Sequence, residues 1–247
     1  MPPKRKKRAL KERILAEELA STADEAERLI RAGLVRVGDA VVDKPGTPIF
    51  DDIAVSISGR KEYVGRGALK LEEAFSAFNL SASGKVCADV GACTGGFTEV
   101  LLRHGAARVY AIDVGYGDLD WRIRSDARVV VMERTNARYV EALAEPVTFI
   151  SIDVSFISLT LILPAVCRWL SPGGEIVALI KPQFEAARED VGSRGVITDP
   201  AVHQGVVQRI KDFLPSIGLE HRGIVESPIL GGEGNKEFLL WAWKIPS

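Results

Sequence analysis

From residue 66 onward, short apolar runs alternate with amphipathic stretches, and this alternation restricts the chain more than any other feature. "KVCADV" (85–90), "RVYAIDV" (108–114), "RVVVMER" (128–134), "VTFISIDVSF" (147–156) and "GGEIVALIK" (173–181) read as strands. Between and around them the spacing predicts helices over 68–79, up to about 104, over 158–170 and over 199–217. Near-continuous apolar strands separated by helices imply an α/β fold: a doubly wound, mostly parallel, Rossmann-like sheet with helices on both faces. "LEHRGIVESPI" and "KEFLLWAWKI" read as a closing strand pair.

The first 58 residues follow a different pattern. Residues 9–32 give two short amphipathic helices; Thr22 and Glu25 have capping-box spacing, and Gly33 stops the second helix. "LVRVGDAVV" (34–42) alternates into a hairpin around Gly38-Asp39, "DKPGTPI" reads as a loop, and "AVSIS" (54–58) as a strand. Polar, glycine-bearing "GRKEYVGRG" follows as a linker. The expected layout is a small α+β domain at 1–58, a linker at 59–66 and a large α/β domain at 67–247.

Net charge is −1, so no global basicity announces a nucleic-acid partner. The first 66 residues nevertheless carry 14 basic against 11 acidic side chains, and the rest carry 18 against 22. The excess sits in Lys4, Arg5, Lys6, Lys7, Arg8, Lys11 and Arg13, an arm that reads either as a phosphate-backbone contact or as a solvated terminus. Three cysteines, Cys87, Cys93 and Cys167, have no metal-ligand spacing, so neither a disulfide framework nor a metal site is expected, and a reducing cytoplasm fits. The start does not read as a secretory leader, and the most apolar stretch, 156–167, is too short to span a bilayer. His104, His203 and His221 lack a partner pattern; Trp241 and Trp243 read as packing residues.

In doubly wound sheets ligands bind at the carboxyl ends of the strands. The first strand ends on Asp89-Val90-Gly91-Ala92-Cys93-Thr94-Gly95-Gly96-Phe97. Its G-x-x-x-G-G spacing departs from the G-x-G-x-x-G of dinucleotide binders. The next strand ends on Asp113, where a carboxylate can accept both hydroxyls of an adenosine ribose. Asp89 can organise the glycine turn or meet a charged amino-acid tail. A ligand with a ribose and an amino-acid end but no phosphate suits this layout, and S-adenosylmethionine is such a ligand. Asn136, after the third strand, is suited either to the adenine edge or to capping a turn.

The chain resembles the bacterial TlyA family, in which an alpha-L (S-four) RNA-binding domain precedes an FtsJ-like methyltransferase. The segments that carry the likeness are "RAGLVRVGDAVVDKPGT", "YVGRGALKLEEAF", "DVGACTGGFTEVLL", "VYAIDVGYGDL", "ERTNAR", "IDVSFISL", "LIKPQFEA" and "GNKEFLLW", in the family's order over nearly the whole length. Cys93 stands where the family often has serine, and "KERILAEELAS" is a loose match to the family's Arg-Leu-Asp opening. The resemblance implies ribose 2′-O-methylation of ribosomal RNA, on ribosomes or their subunits, with S-adenosylmethionine as donor. It also implies a catalytic tetrad of Lys70, Asp153, Lys181 and Glu237. The implied cofactor contacts are Asp89, Gly91, Ala92, Thr94, Gly95, Gly96, Phe97, Asp113, Asn136 and Asp153. The family also carries a haemolysin label.

Lys181 ends a strand that reads as buried, with Pro182 fixing the exit. A ribose hydroxyl must lose its proton around the transition state, and a lysine accepts one only when neutral, which desolvation and a second cation favour. Lys181 is thus the expected base, Lys70 the second cation, and Asp153 and Glu237 the groups that orient them. "GSRGVITDP" (192–200) reads as a mobile loop over the substrate. Two other readings compete: a non-catalytic RNA-binding or assembly factor, against which the intact tetrad and glycine loop argue, and a membrane-active toxin.

Overall fold

The computed structural model describes residues 6–17, 19–20, 22–58, 63–192 and 194–246. The chain divides into two compact units, Met1–Glu62 and Tyr63–Ser247.

In the first unit, β1 (Lys7–Ala9) leads into α1 (Leu10–Ala16) and α2 (Ala23–Arg31). They are followed by β2 (Val35–Val37), β3 (Ala40–Val41), β4 (Pro48–Phe50) and β5 (Val55–Ile57). The Thr22 hydroxyl accepts the Glu25 amide at 3.1 Å, so the capping spacing read in the sequence starts α2. β2 pairs with β3 through the Gly38-Asp39 turn and with β5 on its other side. Leu10, Ile14, Ala26, Ile30 and Val35 are fully buried and form the small core.

The "DKPGTPI" loop is partly a strand: Pro48–Phe50 pairs antiparallel with Lys7–Ala9. Much of the basic arm is thereby committed within the unit. Arg8 pairs with Asp51 at 2.9 Å, Lys11 with Glu27 at 3.0 Å, and Lys7 lies over the Phe50 ring. Arg13 is buried and donates to the carbonyls of Phe50 at 2.6 Å and Ile53 at 3.1 Å, joining α1 to the β4–β5 connection. Lys4 and Arg5 lie outside the described residues, as do linker residues 59–62. Residues 63–66 of the expected linker are packed into the second unit, where Val64 is buried and its amide donates to Glu99 at 2.6 Å.

The second unit runs α3 (Ala68–Phe78), β6 (Val86–Val90), α4 (Gly96–Arg103), β7 (Arg108–Ile112), α5 (Trp121–Arg124), β8 (Val129–Met132), β9 (Val147–Ile152) and α6 (Leu159–Val166). It continues with β10 (Leu170–Ile180), α7 (Pro182–Glu185), α8 (Pro200–Phe213), β11 (Leu219–Glu226) and β12 (Phe238–Lys244). The seven strands lie in the order β11-β12-β10-β9-β6-β7-β8. β12 runs antiparallel to both neighbours, and the strands from β10 to β8 are parallel.

Successive side chains of a strand point to opposite faces. Along β10, Ile176, Ala178 and Ile180 join the core beneath α6 and α8, while Val177 and Leu179 join the core beneath α3 and α4. Tyr110 and Ile112 of β7 divide from Val109 and Ala111 in the same way. Two cores separated by one sheet explain why these strands are apolar at every position. Trp241 stacks on Phe78 of α3, and Trp243 donates to the Gly173 carbonyl, so both tryptophans pack.

The Thr22 cap leads to a direct expectation. Thr22→Ala should destabilise α2 by about 1 kcal/mol, read as faster hydrogen exchange of the Ala23–Arg31 amides with no change in the exchange of β6 and β10.

Candidate active site

The strand register sets the site. Val90 of β6 is level with Ile152 of β9, and Ile180 of β10 is level with Phe238 of β12. The residues just beyond these positions are Gly91, Asp153, Lys181 and Glu237. All four therefore arrive at the carboxyl edge of the parallel strands, on four adjacent strands. The first turn of α3 reaches the same edge: a Cβ at Gly67 would lie 3.8 Å from Asp153 Oδ2. Lys70 is one turn further along that helix.

The tetrad forms two ion pairs. Lys70 Nζ donates to Glu237 Oε2 at 2.6 Å, and the two side chains are only 10% and 2% exposed. Lys181 Nζ lies 2.6 Å from Asp153 Oδ1, off the direction of an aligned hydrogen bond, and donates to the Ser155 hydroxyl at 2.9 Å. The cation expected to bear on Lys181 is thus matched by its own carboxylate. Glu237 is roofed by Gly231, where any Cβ would overlap its carboxyl group.

The glycine loop lies beside these pairs. Gly91, Cys93 and Gly95 all adopt positive φ, at 88°, 47° and 94°. A side chain on Gly91 would run into the Asp153 carbonyl, and one on Gly95 would meet Leu119 and Ile123 at about 3 Å. A cleft is lined by Gly67, Gly91, Ala92, Cys93, Thr94, Gly96, Phe97 and Asp153. An adjoining one is lined by Ala92, Cys93, Ala111, Asp113, Gly115, Asp118, Leu119 and Glu133. Asp113 accepts the Cys93 amide on Oδ2 at 2.8 Å and the Gly115 amide on Oδ1 at 2.7 Å. Each carboxylate oxygen has a second lone pair, so this carboxylate can hold the loop and still accept a diol.

Two expected contacts lie elsewhere. Asp89 is fully buried: Oδ2 accepts from the Thr98 hydroxyl at 2.7 Å and Oδ1 from that of Ser151 at 3.0 Å. It organises the turn from beneath instead of facing the cleft. Asn136 accepts the Arg138 amide at 3.1 Å and opens the short turn Ala137–Tyr139, the second of its two expected roles. The segment 192–200 is tied down at its described residues. Buried Asn235 accepts the Ile197 amide at 3.1 Å and donates to the Gly195 carbonyl at 2.9 Å, a latch that argues against a freely mobile loop.

Sequence reasoning overlooked Gly67, Cys93, Ala111, Gly115, Asp118, Leu119 and Glu133 as lining residues. "VGYGDL" was the available signal, a glycine-bearing stretch directly after Asp113. Glu133 fastens that stretch by accepting the Gly117 amide at 2.9 Å and pairing with Arg124. His104 pairs with Glu72, and His203 is buried against the Ile197 carbonyl, so neither belongs to the site. Phe156 lies close by in the chain: it is three residues past Asp153, is 89% exposed with φ at 63°, and packs on Phe184 with ring centroids 4.9 Å apart.

A glycine-lined cleft at the carboxyl edge of such a sheet, with an acid at the end of the neighbouring strand and two lysine–carboxylate pairs beside it, defines an α/β group-transfer enzyme of the methyltransferase class. The chain belongs to the FtsJ-like methyltransferase family, whose model matches residues 63–244, and an S4 domain model matches residues 13–49. YqxC of Bacillus subtilis is 46% identical over 95% of this chain and 85% of its own. TlyA of Mycobacterium tuberculosis, named a 16S/23S rRNA (cytidine-2′-O)-methyltransferase, is 44% identical over 90% of this chain and 85% of its own. A solved Streptococcus thermophilus structure that carries the hemolysin label has a TM-score of 0.74 at 44% identity, covering 98% of this chain and 90% of that one. Solved S-adenosylmethionine-dependent methyltransferases at 18% and 17% identity share the fold. No helix among the described residues is long and apolar enough to cross a membrane.

S-adenosylmethionine is the cofactor that this fold class serves, and the residues present fit it. Gly91 and Gly96 line the cleft with bare backbone, and Ala92, Ala111 and Leu119 offer apolar walls to an adenine. The spare acceptor capacity of Asp113 suits the ribose diol. The amino end of α4 suits the carboxylate of the amino-acid tail.

Burial pushes the Asp89 carboxyl up to about 7, opposed by the Thr98 and Ser151 hydroxyls and reinforced by the negative charge of Asp153. A carboxyl whose folded value is raised contributes stability that is full below its unfolded value, near 3.8, and is lost as pH rises toward 7. The stability of the wild type relative to Asp89→Asn should therefore fall between pH 4 and 7 and level off above, in denaturant titrations across that range. A difference independent of pH would show that Asp89 does not titrate in this window.

Proposed function

We propose that this chain methylates ribosomal RNA at a ribose 2′-hydroxyl, with S-adenosylmethionine as donor and Lys181 as the group that takes the hydroxyl proton. The observation that carries the reading is the pair of lysine–carboxylate bridges beside the glycine-lined cleft: Lys70 with Glu237, buried, and Lys181 with Asp153, half-buried at the mouth of the cleft. A purely structural role is a poor account of the buried Lys70–Glu237 pair, because burying an ion pair seldom adds net stability over apolar packing.

When bound, S-adenosylmethionine supplies an electrophilic methyl group on a sulfonium. Held in the cleft, it would present that methyl group in line to a ribose 2′-hydroxyl, and Lys181, as the neutral amine that base catalysis requires, would take the hydroxyl proton on Nζ. Asp153 and Ser155 aim that nitrogen. Pro182 removes a backbone donor and fixes φ directly after Lys181, which holds the lysine stem at the strand mouth. Lys70 is held by Glu237 and completes the polar wall on the α3 side. Exposed Phe156, braced by Phe184, offers a face on which an unstacked base can lie. Orientation then contributes most of the rate, since aligning a hydroxyl with a methyl group replaces a bimolecular encounter.

The S4 unit supplies backbone affinity for RNA. TlyA of Mycobacterium tuberculosis is named for cytidine in 16S and 23S rRNA as its target, and the same class of substrate, on assembled ribosomes or subunits in the cytoplasm, is proposed here.

Lys181→Ala is expected to lower methyl transfer from labelled S-adenosylmethionine to unmodified ribosomes and subunits by roughly 100-fold or more. Cofactor binding and RNA binding should stay near the wild-type level. Wild-type activity in this variant would remove Lys181 from the proton-transfer role. RNA binding without any methyl transfer by the wild type would favour an assembly factor.

A further inference from the structure

Two chain segments leave the sheet side by side at the site: 153–159 after β9 and 181–185 after β10. Three rungs join them. The first is Lys181 on Asp153 and Ser155. The second is Phe184 against Phe156, at 4.9 Å between ring centroids. The third is Glu185, whose Oε1 accepts the Leu159 amide at 2.6 Å and whose Oε2 accepts the Ser158 hydroxyl at 2.7 Å. The Glu185 side chain is only 2% exposed. It has no place in the tetrad.

A buried carboxylate needs compensation. Glu185 receives it from the amino end of α6, where the first amides lack helical partners and the helix dipole favours negative charge. Arg209 adds a donor to the Glu185 carbonyl and stands 3.4 Å from Oε2. Every partner of the carboxylate on the β9 side lies at the start of α6, five or six residues after Asp153. Every covalent link on the β10 side leads within four residues back to Lys181. The contacts therefore close a ring: Asp153 to Leu159, across to Glu185, along the chain to Lys181, and across to Asp153. The outer rung is rigid, buried and fully hydrogen-bonded; the inner rung is the reacting one.

We propose that Glu185 is a positioning residue for methyl transfer: by clamping the start of α6 to the segment after Lys181, it fixes the separation and aim of Lys181 and Asp153. This rests on the proposed role of Lys181. The carboxylate touches neither cofactor nor substrate, so its effect falls on turnover and not on binding. Geometry errors of about 1 Å at a reacting centre cost on the order of 100-fold in rate.

The test is single-turnover methyl transfer with Glu185→Ala, Glu185→Asp and Glu185→Gln, each normalised to the concentration of cofactor-binding sites so that misfolded protein does not count. Lys181→Ala is run beside them. Glu185→Ala and Glu185→Asp should lose about 10- to 100-fold in kcat, with KM for RNA and the dissociation constant for S-adenosylmethionine within about twofold. Glu185→Gln keeps the length and one acceptor for the Leu159 amide, and should recover most of the loss. If Glu185→Asp and Glu185→Gln fold and both keep wild-type kcat while Lys181→Ala is inactive, the positioning role is overturned and the reading of Lys181 stands. If losses in cofactor affinity match those in turnover, Glu185 supports the fold alone. Full activity in Lys181→Ala overturns both.

Discussion

The constraint on which the site depends is the contact between Gly91 and the Asp153 carbonyl. No side chain fits between them, so the turn after β6 and the exit of β9 occupy one narrow space. That contact makes the glycine-lined cleft and the lysine–carboxylate edge a single site. It depends on the positive φ of Gly91, which costs little without a Cβ. Asp89 braces the turn from beneath through Thr98 of α4 and Ser151 of β9, so the elements that carry the cleft and the tetrad share a buried polar post.

Around this contact the chain buries more charge than stability alone would favour. Lys70, Asp89, Glu185 and Glu237 are all buried: Lys70 and Glu237 match each other, Asp89 is met by hydroxyls, and Glu185 by a hydroxyl and a helix amide. Buried charges placed this way are expensive to remove one at a time, since the abandoned partner stays desolvated. The same arrangement gives rigidity: Lys70 and Lys181 are each restrained by a carboxylate from a different segment.

Much of the fold was legible because the relevant signals are local. The two-residue period divides β10 between two cores, Thr22 with Glu25 starts α2, and the glycine spacing after β6 set the cleft apart from a dinucleotide site. The tetrad became visible through its motifs, not through pairing rules. Lys70 and Glu237 are separated by 167 residues, and no local pattern says that they meet. The "DKPGTPI" stretch read as a loop because Pro48 masks an edge strand, where a missing amide costs nothing. Asn136 and Asp89 were each given two roles, and only neighbouring backbone and burial decide between them. Glu185 looked like the end of a motif; its function as a clamp depends on where α6 begins.

The central claim is that the methyl group goes to a ribose oxygen. Ribosomal RNA labelled by the enzyme from methyl-tritiated S-adenosylmethionine can be hydrolysed completely in alkali, which cleaves next to every free 2′-hydroxyl. A 2′-O-methyl group blocks that cleavage, so the account predicts label recovered in alkali-resistant dinucleotides. Label recovered in mononucleotides would place the methyl on a base and contradict it.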